Sequence, residues 1–594
     1  MAQKKPNPDK KSQSAFNKRA QVVMQKTGRF IARTSLPEVF LIATLCMSRY
    51  LQNSDFSYPS EIILNIVLLG VLVTAVFYLY RLVLRSSLAA HVAGLFMAYG
   101  LYGFTYTFPR FHHWGDYILP NSLTPFAHDI LQVLFLGTLF GIVGFAAGWL
   151  SRRKQVKTVP MLKFLVFVVC FIFAVQLGKV GMRIWEIRKD LTYTQPQSSL
   201  QQVNKASSNS SNKPNVYYLL FDRYANATTL KNSYNYDNTP LLDNLKQQGF
   251  VVRDDAYANY PFTTQSVSST LSADYHAKLG AEFRDSAVGF QTAFPYRKIL
   301  DNAPVTQAFQ ANGYNYNQVS SWWDFTRDNP SADTNPSKSF RLRLFGKNFW
   351  LTDLQRDIVN KSILSPLLLK GATVGKTTLV QYQLDRNPQQ NFFAEIEALK
   401  AIAANSKTQA KPQFTFAHIL SPHDPYVFDA QGNNPTYDNN RNDNGVDETI
   451  KYTNQLTFVN TQLTELIKTI RTNDPTAAIV LQADEGPYPK QFRGTLTADH
   501  YFDPINLPVA EQRQKFGVLA AYYMPDVDEQ TVTTSITAST NAFRFVLNQY
   551  LGYELPLLPD CQFTAGDKYN LYTYSLVSGK LKNTAEPAVC TPYK

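Results

Sequence analysis

The chain has 594 residues, too many for one ordinary domain, and a formal net charge of +13. Hydrophobic residues make up 45% of it, yet the mean hydropathy is only −0.22. The average conceals two halves, because apolar runs crowd the first third and the remainder reads as water-soluble α/β protein.

The first segment, 1–35, is a basic arm. Lys4, Lys5, Lys10, Lys11, Lys18, Arg19, Lys26, Arg29 and Arg33 are opposed by Asp9 alone. An arm that abuts an apolar run reads as a cytoplasmic flank drawn to anionic lipid headgroups rather than as a nucleic-acid-binding tail.

Residues 36–182 read as a transmembrane bundle. After a first apolar run near Leu36–Leu51, the runs near Ile62–Tyr80, Leu88–Phe108, Ile130–Leu150 and Met161–Val180 each approach the roughly 20 residues that cross a bilayer as a helix. The first is the weakest, interrupted by Glu38 and Arg49. The arm, the Arg81/Arg85 turn and the Arg152, Arg153, Lys154, Lys157 loop fall on one side if five helices cross from the cytoplasm. That places the N-terminus inside and the C-terminal domain outside, in the cell membrane. His112 and His113, beside Trp114, read as interfacial residues.

Residues 183–214 are polar and repetitive, and read as a flexible linker. Residues 215–594 form the exported domain. Val216–Asp222, Phe414–Ile419, Ala477–Gly486 and Phe516–Pro525 are buried-strand runs, and Thr449–Ile470 between them has helical apolar spacing. Alternating strands and helices predict a mostly parallel sheet sandwiched by helices, with ligands beyond the strands' carboxyl ends. Asp222, Asp484, Glu485 and His423 fall at those ends. Carboxylates gathered at one rim repel one another, which calls for a divalent cation. Tyr257–Ser272 is a hydroxyl-rich segment running into a helix. Thr263 and Thr264 lie near its N-terminus, where free backbone N–H groups favour an alkoxide or a bound phosphate. Cys561 and Cys590, near the C-terminus, have a spacing that permits a disulfide on an oxidising face. Cys46 and Cys170 sit in apolar runs. No zinc-type Cys/His spacing is present.

Together these residues resemble the alkaline phosphatase–sulfatase superfamily, in particular its membrane-anchored lipoteichoic-acid-synthase-like branch. The resemblance runs from about Asn215 to Phe563. Its marks are Thr239–Phe250 (TPLLDNLKQQGF), the nucleophile segment, Pro422-His423-Asp424-Pro425-Tyr426 and Phe543–Pro559. It implies Asp222 and Asp484 as metal-binding acids, Thr263 as the nucleophile, with Thr264 and Ser266 behind it, and His423 on the substrate's anionic group. Where the family has Asp-His-Gly, this chain has Asp484-Glu485-Gly486. Glu485 then reads as a third metal ligand, in an oxygen-rich site favouring Mn²⁺ or Mg²⁺ over Zn²⁺. His500 stands as a substitute ligand, with His276 and His418 as further candidates. His418 reads as a satisfied core histidine. Formylglycine chemistry is not expected, because Thr263-Thr-Gln-Ser-Val replaces the sulfatase Cys-x-Pro-Ser-Arg. The expectation is a metal-dependent phosphotransferase or phosphoester hydrolase acting on a lipid-linked or envelope-glycan substrate, without nucleic acid. The rival is a catalytically inactive relative that keeps the fold for binding or assembly.

Overall fold

The computed structural model describes Phe30, 33–103, 125–153, 158–194, 200, 213–284, 292–337, most of 342–382, 387–436, 446–489, 492, 504–565 and 571–593. The chain divides into two compact units. The first is Met1–Glu186 with Phe340–Leu384, and the second is Ile187–Ser339 with Asp385–Lys594.

Among the described residues, the N-terminal part of the first unit holds five helices: α1 (Leu36–Gln52), α2 (Glu61–Leu84), α3 (Ser87–Ala98, continued by a π turn to Gly103), α4 (Pro125–Arg153) and α5 (Thr158–Glu186). Two stretches, Glu61–Leu84 and Lys163–Glu186, are long and apolar enough to cross a membrane. Both leave large apolar side chains bare, among them Val71 at 68% and Phe167 at 64% exposure. A water-soluble surface does not tolerate so much contiguous apolar area. Small residues let α3 and α4 close up: a Cβ on Gly148 would lie 2.7 Å from the Ala89 carbonyl oxygen, and one on Gly144 3.0 Å from that of Ala93. The two charges that interrupt α1 both have partners. Glu38 is fully buried and takes a 2.9 Å contact from His91 Nδ1. Arg49 holds Asp357 through Nε (2.6 Å) and Nη2 (3.1 Å).

Asp357 belongs to the segment 340–384, which interrupts the second unit in sequence but packs within the first. This differs from the sequence expectation of one uninterrupted exported domain. The segment carries a hairpin (Leu342–Leu344 with Lys347–Phe349) in a four-stranded antiparallel sheet, and a helix, Asp353–Asn360. The N-terminal turn of that helix meets the start of α2. Thr352 Oγ1 donates to Glu61 Oε2 (2.6 Å), Gln355 Nε2 to the Glu61 carbonyl (3.0 Å), and Asn65 Nδ2 to the Gln355 carbonyl (3.1 Å).

Among the described residues, the main sheet of the second unit has six strands: β1 (Val216–Phe221), β2 (Val251–Val252), β3 (Asn315–Val319), β4 (Gln413–Ile419), β5 (Ala478–Gln482) and β6 (Ala520–Tyr523), in the order β2-β6-β5-β1-β4-β3. The central strands β5, β1, β4 and β3 are parallel. β6 runs antiparallel to β5, and β2 to β6. The sheet is therefore mixed, because an apolar run carries no record of strand direction.

Side chains of β1 alternate between two separate cores. Val216, Tyr218 and Leu220 join one with Phe414 and Phe416, while Tyr217, Leu219 and Phe221 join the other with Ala417 and Ile419. Helices thus cover both faces, and both faces are dry. The first core includes Val267 and Leu271 of α6 (Thr263–Ser272). The second includes Leu456, Val459, Leu463 and Ile470 of α7 (Glu448–Asn473). At the start of this unit Asp190 is buried and accepts from Thr292 Oγ1 at 2.6 Å. The expected linker is therefore packed protein at that point, and most of its remainder lies outside the described residues. Cys561 and Cys590 form a disulfide with Cα atoms 5.7 Å apart.

Candidate metal centre and active site

Strand register brings three polar residues together. Leu220 of β1 lies level with His418 on one side and Gln482 on the other. Side chains repeat every two residues along a strand. Asp222 and Asp484, each two positions on, therefore emerge on the face that His418 occupies, at the carboxyl edge. Donor atoms of Asp222, His418 and Asp484 all lie within 4.8 Å of one another. Asp222 Oδ2 is 3.7 Å from His418 Nε2.

All three residues are buried to 2% exposure or less. Among the described residues, Asp222 Oδ1, His418 Nε2 and Asp484 Oδ2 are buried without a hydrogen-bond partner. An unpaired buried polar atom costs about 1–3 kcal/mol, and more for a charged group. Three such atoms facing one another fit a cation. Ligands about 2.1 Å from a tetrahedral metal stand roughly 3.4 Å apart, close to the Asp222–His418 separation. Without a cation the electrostatics are adverse. Burial, then mutual repulsion, pushes Asp222 well above the usual carboxylate range. Burial and the Glu485 charge push Asp484 up to about 6. Burial holds His418 down to about 3, with the nearby His423 adding to the effect, so its imidazole is neutral.

The hydrogen-bond chain behind His418 fixes its tautomer. Ser321 Oγ donates to the Trp323 carbonyl at 3.0 Å, and a carbonyl only accepts. Ser321 Oγ must then accept from Thr326 Oγ1 (2.8 Å), and Thr326 Oγ1 from His418 Nδ1–H (2.8 Å). This leaves a bare lone pair on Nε2, aimed at the two carboxylates. Orientation of a ligand imidazole through its other nitrogen is what metal sites require.

Thr263 is the first residue of α6 and is half-buried. Its side chain lies beside Asp484, near enough to oppose the upward shift of that carboxyl. Thr264 and Ser266 are buried in the same helix, and the Thr264 carbonyl accepts from Ser268 Oγ at 2.5 Å. His276 lies beneath α6, its Nε2 2.8 Å from the Gln265 carbonyl and 3.0 Å from Ser268 Oγ.

At Glu485 the structure departs from the expectation of a third acidic ligand. Its Oε1 lies 2.7 Å from Arg223 Nε and 2.8 Å from Lys515 Nζ. Burial alone would raise this carboxyl, but Lys515 and Arg223 outweigh it and hold Glu485 below its ordinary value. Lys515 is fully buried, which lowers it to about 8 despite Glu485. A carboxylate shared by a buried lysine and a half-buried arginine is a poor donor to a third cation. Arg223 has φ +58, a left-handed conformation at the residue after Asp222. That turn sends its guanidinium to Glu485, to Asp424 (3.0 Å) and over the Tyr488 ring (4.4 Å). Arg223 and His423, with Tyr426, Tyr452 and Tyr488, line a small cleft. Sequence reasoning missed Arg223 and Lys515. His500 lies outside the described residues, as do His112 and His113.

The sulfatase family model matches residues 214–514, just over half of the chain. The chain therefore belongs to the sulfatase family, within the alkaline phosphatase–sulfatase superfamily. No curated protein matches it. Among solved structures, the C-terminal periplasmic domain of EcEptC from Escherichia coli is similar at 12% identity and TM-score 0.36, over 61% of this chain and 87% of that one. Ps i-CgsB aligns at 15% identity and TM-score 0.35, over 64% and 89%. A putative sulfatase from Bacteroides thetaiotaomicron aligns at 14% identity and TM-score 0.35, over 58% and 72%.

Proposed function

We propose that the chain is a membrane-anchored, metal-dependent phosphotransferase or phosphoester hydrolase of the lipoteichoic-acid-synthase-like kind. In this reading five helices cross the cell membrane, the N-terminus is cytoplasmic and the sulfatase domain faces outward. The observation that carries it is the Asp222–His418–Asp484 trio, each residue with one unpartnered buried atom, beside a threonine side chain at a helix N-terminus. Those three residues would hold one divalent ion. Bound there, it would lower the cost of the threonine alkoxide and of charge on the phosphoryl oxygens. With an imidazole in the donor set, Mn²⁺ or Zn²⁺ fits better than the Mg²⁺ an all-oxygen site would favour.

Asp484, beside Thr263, would orient its Oγ1. Oγ1 attacks phosphorus, a bond from Oγ1 to phosphorus forms, and the bond from phosphorus to the leaving oxygen breaks. That oxygen takes up a proton, and the threonine proton goes to solvent. A second hydroxyl, from water or an acceptor alcohol, then displaces Oγ1, which regains its proton. His423 and Arg223 flank the cleft where an anionic group would bind. A lipid-linked or envelope-glycan phosphodiester suits an enzyme anchored beside its substrate.

Thr263→Ala in the full-length protein, assayed on a synthetic phosphodiester, should abolish turnover while divalent metal stays bound. Equal turnover by the variant would overturn the nucleophile. The second reading, an inactive relative, draws on the committed ion pairs of Glu485. Cells making Thr263→Ala protein that behave as wild type would favour it.

A further inference from the structure

The loop before α2 and the end of α5 share one end of the first unit. Arg183 Nε donates to Ser54 Oγ at 3.0 Å, and its Nη2 lies 3.2 Å from Asp55. The inserted segment docks there. Leu342 and Leu351 are buried against Leu64 and Leu68, in the first turns of α2. At 1.5 Å per residue those positions lie about 5–10 Å along the helix from Glu61. That is the depth at which a spanning helix passes from headgroups to hydrocarbon. At this level the hairpin turn leaves Phe345 75% exposed and Phe349 42% exposed, with Lys347 exposed between them. Phe345 has φ +49, which costs energy for a bulky residue without a packing return inside the protein. Aromatic rings with an adjacent lysine are what the membrane–water interface accommodates.

We propose that this hairpin is an interfacial membrane contact: Phe345 and Phe349 lie among the headgroups of the leaflet at the start of α2, and Lys347 meets lipid phosphates. The occupant is the bilayer in which α2 sits, so the inference rests on the membrane reading given above. The sulfatase-family sequence would then touch the membrane through its middle.

The test uses full-length protein with Cys46→Ala and Cys170→Ala, carrying Phe345→Cys or Phe349→Cys labelled with bimane. Val71→Cys, ten residues into α2, and Lys411→Cys, exposed on the second unit, are the references. Vesicles of phosphatidylcholine and phosphatidylglycerol carry a nitroxide at the headgroup, carbon 5 or carbon 12. The hairpin probes should lose emission most strongly to the headgroup and carbon-5 nitroxides, Val71 to carbon 12, and Lys411 to none. Hairpin probes that match Lys411 while Val71 is quenched by carbon 12 would overturn the contact and leave the membrane reading standing. Hairpin probes quenched most by carbon 12 would overturn the interfacial placement. An unquenched Val71 probe would remove the membrane reading and this proposal together.

Discussion

At the residue scale, the site separates charges by what each carboxylate faces. Asp222 and Asp484 face a neutral imidazole and each other, whereas Glu485 faces two cations. His418→Ala should therefore remove bound metal, while Glu485→Gln should retain it in whatever fraction folds. Metal analysis of the two purified variants checks this, and metal lost equally from both would restore Glu485 as a ligand. Thr326→Val removes the acceptor for His418 Nδ1–H without touching the metal position. Loss of an outer partner of this kind lowers metal affinity roughly 10–100-fold. A titration read by metal-dependent melting should show that fall, with the metal-free melting temperature far less altered. Asp222 and Asp484 were legible because each closes an apolar strand run with a carboxylate. His418 was not, since a histidine inside such a run looks like core. Its signal is parity: Phe414, Phe416 and His418 share the face on which Asp222 and Asp484 emerge, but that becomes visible only when strand register is known.

At the scale of elements, α6 presents Thr263 at its first turn and is held from below by buried polar contacts. His276 is lowered to about 4, chiefly by burial. A histidine depressed below its unfolded value of about 6.5 contributes stability that is complete above that pH. The contribution is lost as pH falls from 6.5 through 4, and the unfolded chain takes up the proton first. Denaturant unfolding between pH 7 and 4.5 should show this slope, and His276→Gln should flatten it. The strands and the long helix α7 were readable from periodicity. The direction of β6 and the return of 340–384 to the first unit were not, because both are tertiary choices that no local spacing encodes.

At the scale of the whole molecule, the chain joins an apolar helical unit to a sulfatase-family domain closed near its C-terminus by the Cys561–Cys590 bridge. A loop of sequence separation 29 constrains the unfolded chain by roughly 3–4 kcal/mol. Cys590→Ser should lower the unfolding free energy by an amount of that order and leave the metal trio intact. Equilibrium unfolding beside metal analysis separates those effects. The bridge also suits the outward location proposed for the domain, where thiols are oxidised.

The central claim is that Asp222, His418 and Asp484 form one divalent-metal site serving Thr263. The most direct measurement is metal content of the purified full-length protein after loading with Mn²⁺ or Zn²⁺, beside Asp222→Asn, His418→Ala, Asp484→Asn and Thr263→Ala. The account predicts about one ion per chain in the wild type and in Thr263→Ala, and a large loss in each of the other three. A folded wild type that takes up neither metal, or a His418→Ala protein that binds as tightly as wild type, would contradict it.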